Sequence, residues 1–173
     1  MHTGIEEKIP WQAVQPEIRR QVADVLGARV ARASRVWGGY GPTPTFRLLL
    51  ADGRRVFLKG VNAASNEFAR RGLTKEEEIY RRAGDLIRGW TPVYLGSFHH
   101  GDWHVLMLED LGPKTVPPWA PASTAEITRS FAEIHRLTLG AALPNWLPRE
   151  PTPFGPAWEQ IAEASNGFRH IAA

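Results

Sequence analysis

Two apolar runs, Phe46 to Ala51 and Val56 to Leu58, meet across Asp52-Gly53. Asp-Gly between two such runs is the strongest short-range hairpin signal, because both turn positions tolerate positive φ. Thr45 to Ala51 and Arg54 to Gly60 are therefore expected to be adjacent antiparallel strands. Lys59 falls near the end of the return arm. A lysine on a mostly buried strand is costly unless it meets an anion. The fold must then bring a carboxylate, a phosphate or both to Lys59.

The other elements follow in order around this hairpin. Pro16 opens a helix at a favourable first-turn position, and Ile18, Val22, Val25 and Leu26 form its apolar stripe. Gly27 stops it. Arg29 to Trp37 alternates apolar and polar residues, as a strand does. Gly38-Gly39-Tyr40-Gly41-Pro42-Thr43-Pro44 is a turn or flexible loop. After the hairpin, Val61 to Gly72 reads as an irregular link with a short helix around Glu67 to Arg71. Thr74-Lys75-Glu76-Glu77 fits a capping box, which puts a helix start at Thr74 and Glu77 at the reciprocating position. Ile79, Tyr80, Ala83, Leu86 and Ile87 follow at helical spacing.

Val93 to Phe98 and Trp103 to Leu108 are expected strands, joined by a turn at His100-Gly101-Asp102. Ser123 to Glu126 is a second capping box, opening a helix with Ile127, Phe131, Ile134, His135 and Leu137 on its apolar side. The tail carries one expected helix, Pro156 to Ala164. The fold class expected is α+β: a five-stranded antiparallel sheet with one helix inserted after the third strand, followed by further helices. The division expected is residues 1–112 as a first lobe and 113–173 as the start of a helical second one.

Bulk properties exclude several classes. The chain has no cysteine, so disulfides and thiolate metal sites are absent. The acid-bearing N-terminus, MHTGIEEKIPW, has no apolar core and is not a signal peptide. No apolar run is long enough for a membrane helix, and a cytoplasmic location is expected. Twenty-one Lys and Arg stand against 18 Asp and Glu, an excess too small to imply nucleic acid by itself. A nucleic-acid binder is a weak third reading, based on the pI of 9.6 and the tryptophans; the Trp-rich tail reads more simply as packing surface.

A glycine-bearing turn, a strand lysine and a glutamate on the next helix make one kind of site. Glycines let backbone N–H groups approach phosphate, the lysine pairs with phosphate oxygens, and the glutamate holds the lysine. Three consecutive glutamates are available. Glu76 shares a helix face with Ile79, Tyr80 and Ala83 and is the first choice. Glu77 is second, because the capping box engages it, and Glu78 faces solvent.

These pieces together resemble the N-terminal lobe of the aminoglycoside phosphotransferase and choline kinase-like group, which shares the protein-kinase-like fold. The matching segments are VWGGYGPTPTFRLLLADGRRVFLKG, EEEIYRR, TPVYLGSF, VLMLEDLGP with VPPW after it, and SFAEIHRL. They run from about Ile9 to His135, in the family's order. The resemblance implies that Lys59 contacts ATP phosphates, that Glu76 positions it, and that Gly38, Gly39 and Gly41 lie in the nucleotide-covering loop. It also implies backbone contacts to adenine from Glu109 and Leu111, with Leu108 beside the ring. ATP and Mg²⁺ are the implied cofactors, and a small hydroxyl-bearing molecule the implied acceptor.

The chain departs from the family in two ways. Its loop, GGYGPTP, is not G-x-G-x-x-G, and its two prolines remove N–H donors. The family's catalytic aspartate, asparagine and metal-binding aspartate belong to a second lobe. After Leu111 the acids are Glu126, Glu133, Glu150, Glu159 and Glu163, with no aspartate. His100-Gly101-Asp102 imitates the catalytic segment but precedes the linker and lies in a turn. The expectation is an ATP-binding lobe with no catalytic or Mg²⁺-binding residue in this chain, and no phosphotransfer by this polypeptide alone. The alternative is a non-catalytic nucleotide- or protein-binding module.

Plainer readings stand beside these. Lys59 could be a snorkelling lysine at a strand end, and Glu76 a first-turn acid favoured by the helix dipole. His99, His100, Asp102 and His104 carry metal-ligand chemistry, but a polar hairpin tip is the reading preferred. His135 reads as a packed core histidine.

Overall fold

A computed structural model describes residues 8–37, 43–62, 64, 66–112, 120–139 and 144–146. The chain divides into two units, Met1–Lys114 and Thr115–Ala173. Unit one is α+β. A single 3-10 turn, Trp11–Ala13, leads into helix α1, Pro16–Leu26, which ends on Gly27 at φ 66°. Strands β1 (Val30–Arg35), β2 (Thr45–Leu50) and β3 (Arg55–Asn62) follow. Helix α2, Glu67–Ile87, is inserted before β4 (Tyr94–His100) and β5 (Trp103–Glu109). All strand pairs are antiparallel, in the order β1-β2-β3-β5-β4, so β3 is central.

The hairpin that constrained the sequence forms as expected, with register Lys59↔Thr45 and Leu58↔Phe46. Gly53 adopts φ 88° in its turn, and Asp52 Oδ1 accepts the Arg54 N–H at 3.0 Å. Side chains alternate between the two faces of the sheet. Phe46, Leu48, Leu50, Val56, Leu58, Phe98, Trp103, Val105 and Met107 pack against Ile18, Val22 and Leu26 of α1. On the opposite face, Val61, Leu106 and Leu108 meet Leu73 of α2, with Ala69, Tyr80 and Tyr94 around them. Lys59 points to this second face, across from buried Leu106 on β5.

Several expectations need correction. There is no link followed by a new helix at Thr74; α2 runs unbroken from Glu67 through Gly72. Its N-cap is Asn66, whose Oδ1 accepts the Ala69 N–H at 2.8 Å. Thr74 lies inside the helix and donates its hydroxyl to the Arg70 carbonyl, so Glu77 has no capping role. An interior glycine costs only about 1 kcal/mol relative to alanine. Ion pairs from Glu67 to Arg70 and Arg71, and a side-chain cap, offset that locally.

The apolar face of α2 is also rotated from the expected one. Ile79 and Leu86 are exposed, while Leu73, Glu77 and Ala83 are buried. β3 extends to Asn62, two residues into the expected link.

In the second unit, α3 spans Pro121–Thr138 and starts with proline in its first turn rather than with a capping box at Ser123. His135 is exposed, so it is not a packed core histidine. The glycine loop Gly38, Gly39 and Gly41, the segment VPPW and the helix expected over 156–164 lie outside the described residues. Among the described residues, no helix is long and apolar enough to cross a membrane.

Candidate functional site

Lys59 Nζ donates to both carboxylate oxygens of Glu76, at 2.7 and 2.8 Å. The two side chains are about equally covered, 33% and 31% exposed. They meet because Lys59 and α2 share one face of the sheet, and because Glu76 lies three residues beyond buried Leu73. A lysine ammonium has three N–H donors. Glu76 takes two, leaving one for an external oxygen. Tyr80, one turn further along α2, lies close enough that burial and then the Glu76 charge raise its hydroxyl pKa.

The same face continues along β3 and β2. Phe57 is half-buried two residues before Lys59, opposite Arg47 on β2 and Leu108 on β5. Arg47 reaches across to the segment after β5: its Nη2 donates to the Gly112 carbonyl at 2.6 Å, and its Nε lies 3.5 Å from Asp110. Asp110 Oδ1 also accepts the Gly112 N–H. Residues 110–112 are thus held in a fixed turn beside the sheet. Leu108 is buried in the α2-side cluster. The Glu109 N–H is taken by the Val93 carbonyl at 2.8 Å, and Leu111 is exposed. Arg32, Ser34, Arg47, Leu49, Arg55 and Asp110 line a shallow hollow of about 170 Å³ beyond them.

Behind α2 lies a buried polar cluster. Glu77 Oε2 is 2.7 Å from His104 Nε2, and Glu77 Oε1 accepts from the Ser97 hydroxyl and from Arg81. Ser97 Oγ also bonds Tyr94 Oη at 2.7 Å. His99 and His104 are cross-strand partners, and their rings stack at 4.0 Å. His104 is 1% exposed, so it is not part of a polar hairpin tip; the tip is Gly101-Asp102.

Burial and the neighbouring His99 hold the His104 pKa below its ordinary value, against the pull of Glu77. Burial pushes the Glu77 carboxyl up, but hydrogen bonds from Ser97, His104 and Arg81 outweigh it and leave the pKa lowered. The pair is therefore a neutral imidazole donating to a carboxylate. His104 Nδ1 has no hydrogen-bond partner.

Of the residues singled out from sequence, Lys59 and Glu76 come together and Leu108 shares their sheet face, whereas Glu109 pairs with Val56 in the opposite phase of the strand and Leu111 lies beyond the end of β5. Glu77, Arg47, Asp110, Ser97 and His104 were not assigned these contacts. For Glu77 and His104 the signal was readable: the first is four residues beyond Leu73, and the second lies on the α2-facing phase of β5 with Leu106 and Leu108. Comparison with protein-family models and with curated proteins returned no match to this chain.

Proposed function

We propose that unit one is the ATP-binding lobe of a small-molecule phosphotransferase of the aminoglycoside and choline kinase-like type. The observation that carries this reading is the two-pronged Lys59–Glu76 pair between α2 and the α2-side face of a five-stranded antiparallel sheet. An ammonium held by a carboxylate keeps its position while its remaining N–H meets a phosphate oxygen. Phe57 offers an apolar surface on the same face, suited to a base ring. The Arg47–Asp110 turn fixes the segment whose backbone would read the adenine edge.

In this reading Mg²⁺ would neutralise charge on the nucleotide phosphates, and no residue here is assigned as its ligand. The acceptor hydroxyl and its base belong to a second lobe, for which the chain supplies no aspartate after Asp110. Transfer of the γ-phosphoryl group by this polypeptide alone is not expected. The glycines at 38, 39 and 41 are assigned to phosphate covering by resemblance alone.

The second reading is a nucleotide- or protein-binding module without chemistry. Titration with ATP, with and without Mg²⁺, tests the site, using Lys59→Ala and Glu76→Gln as controls. Loss of binding in both variants supports a nucleotide site. Absence of binding to the unaltered protein favours the protein-binding module. Turnover with ATP, Mg²⁺ and an amino-alcohol or aminoglycoside acceptor would contradict the account of the chemistry.

A further inference from the structure

We propose that Glu77, His99 and His104 form a binding site for a divalent transition metal of the Zn²⁺ type, pinning α2 to the β4–β5 hairpin. The proposal stands on the cluster's own geometry and does not depend on the nucleotide reading. One ligand atom from each residue lies within 4.8 Å of the other two. Glu77 Oε2 is 2.7 Å from His104 Nε2 and 3.8 Å from His99 Nε2. A tetrahedral ion with bonds of about 2.1 Å separates its ligand atoms by roughly 3.4 Å. The two Glu77 separations bracket that value, but the His99 and His104 rings stack at 4.0 Å with their planes 26° apart, so loading requires the exposed His99 ring to rotate until both lone pairs converge on the ion.

The donor set selects the ion. Two imidazoles and one carboxylate suit Zn²⁺, Cu²⁺ or Ni²⁺, whereas Mg²⁺ and Ca²⁺ demand oxygen ligands. Three protein ligands leave a fourth position for water. The His99 side chain is 60% exposed and gives the ion a path in from solvent. The second carboxylate oxygen, Oε1, is already held by Ser97 and Arg81, which fixes the ligand's orientation.

Binding replaces the His104–Glu77 hydrogen bond with two metal bonds and requires the ring proton to shift from Nε2 to Nδ1. That nitrogen has no protein acceptor, so affinity should fall below that of sites whose histidines are backed by a carboxylate or carbonyl.

The test is titration of the whole chain with Zn²⁺ after chelator treatment, read by melting temperature, and with Co²⁺, read by its visible absorption. Zn²⁺ should raise the melting temperature and Mg²⁺ should not. Co²⁺ should give the intense bands of a four-coordinate N/O site. His99→Ala alters an exposed side chain and leaves the fold intact. It should weaken Zn²⁺ binding by about tenfold or more. His100→Ala and Lys59→Ala should leave binding unchanged. Equal binding by the unaltered chain and His99→Ala, or no effect of Zn²⁺ on the unaltered chain, would overturn the proposal.

Discussion

Lys59 on β3 and Glu76 on α2, 17 residues apart in the chain, form a two-pronged ion pair with both contacts under 3 Å. Both side chains remain about one-third exposed. Solvent screens such a pair, so it contributes about 1 kcal/mol or less to stability. Neither residue is explained by what it adds to the fold. Lys59→Ala should therefore lower stability by no more than about 1 kcal/mol in chemical denaturation. A loss of several kcal/mol would make the pair a structural strut.

The start of α2 can be tested by two substitutions. Asn66→Ala removes the side-chain acceptor for the Ala69 N–H and should cost about 0.5–2 kcal/mol. Thr74→Ala sits in the exposed helix interior and should be neutral or slightly stabilising. If the order of these effects were reversed, the helix would begin at Thr74 after all.

Gly96 marks the close approach of β4 to α1. It sits at φ 147°, and a Cβ there would lie 2.7 Å from Val25 Cγ1. Gly96→Ala should destabilise by about 1–3 kcal/mol, from overpacking with backbone strain added. Val25→Ala in the same chain should recover part of that loss, because it removes the clashing methyl. Urea denaturation of the single and double variants measures both terms, and an absence of recovery would assign the loss to backbone strain alone.

Phe46 is 1% exposed, packed under α1 and edge-on to Trp11 at 5.2 Å. Phe46→Ala should cost about 3–5 kcal/mol. Phe68, on the outer side of α2, is 88% exposed. Phe68→Ala should change stability by no more than about 0.5 kcal/mol. Denaturation midpoints of the two variants test the assignment of faces.

The sheet was legible because its signals are local. Asp52-Gly53 set the hairpin, the alternation over Arg29 to Trp37 marked the first strand, and the apolar run in Trp103 to Leu108 marked the fifth. The Lys59–Glu76 pairing could be anticipated because one helix follows β3 directly. The start of that helix could not, because Thr74-Lys75-Glu76-Glu77 satisfies a capping box while Asn66, eight residues earlier, does the capping. A local pattern here lost to a longer cooperative helix stabilised by Glu67–Arg70 and by packing of Leu73. The same shift misplaced Glu77. The position of Glu77, four residues beyond Leu73, marks its face, but its polar partners His104 and Ser97 are brought beside it only by β4 and β5. The Arg47–Asp110 tie is a contact across 63 residues, which no local pattern encodes.

The central claim is that Lys59, held by Glu76, receives the phosphates of a nucleotide. Calorimetric titration of ATP with Mg²⁺ tests it most directly. The account predicts saturable binding to the unaltered protein, weakened about tenfold or more by Lys59→Ala, a loss of about 1.4 kcal/mol or more of binding free energy, with the melting transition retained. Equal affinity of the two proteins for ATP, or no binding by the unaltered chain, would contradict it.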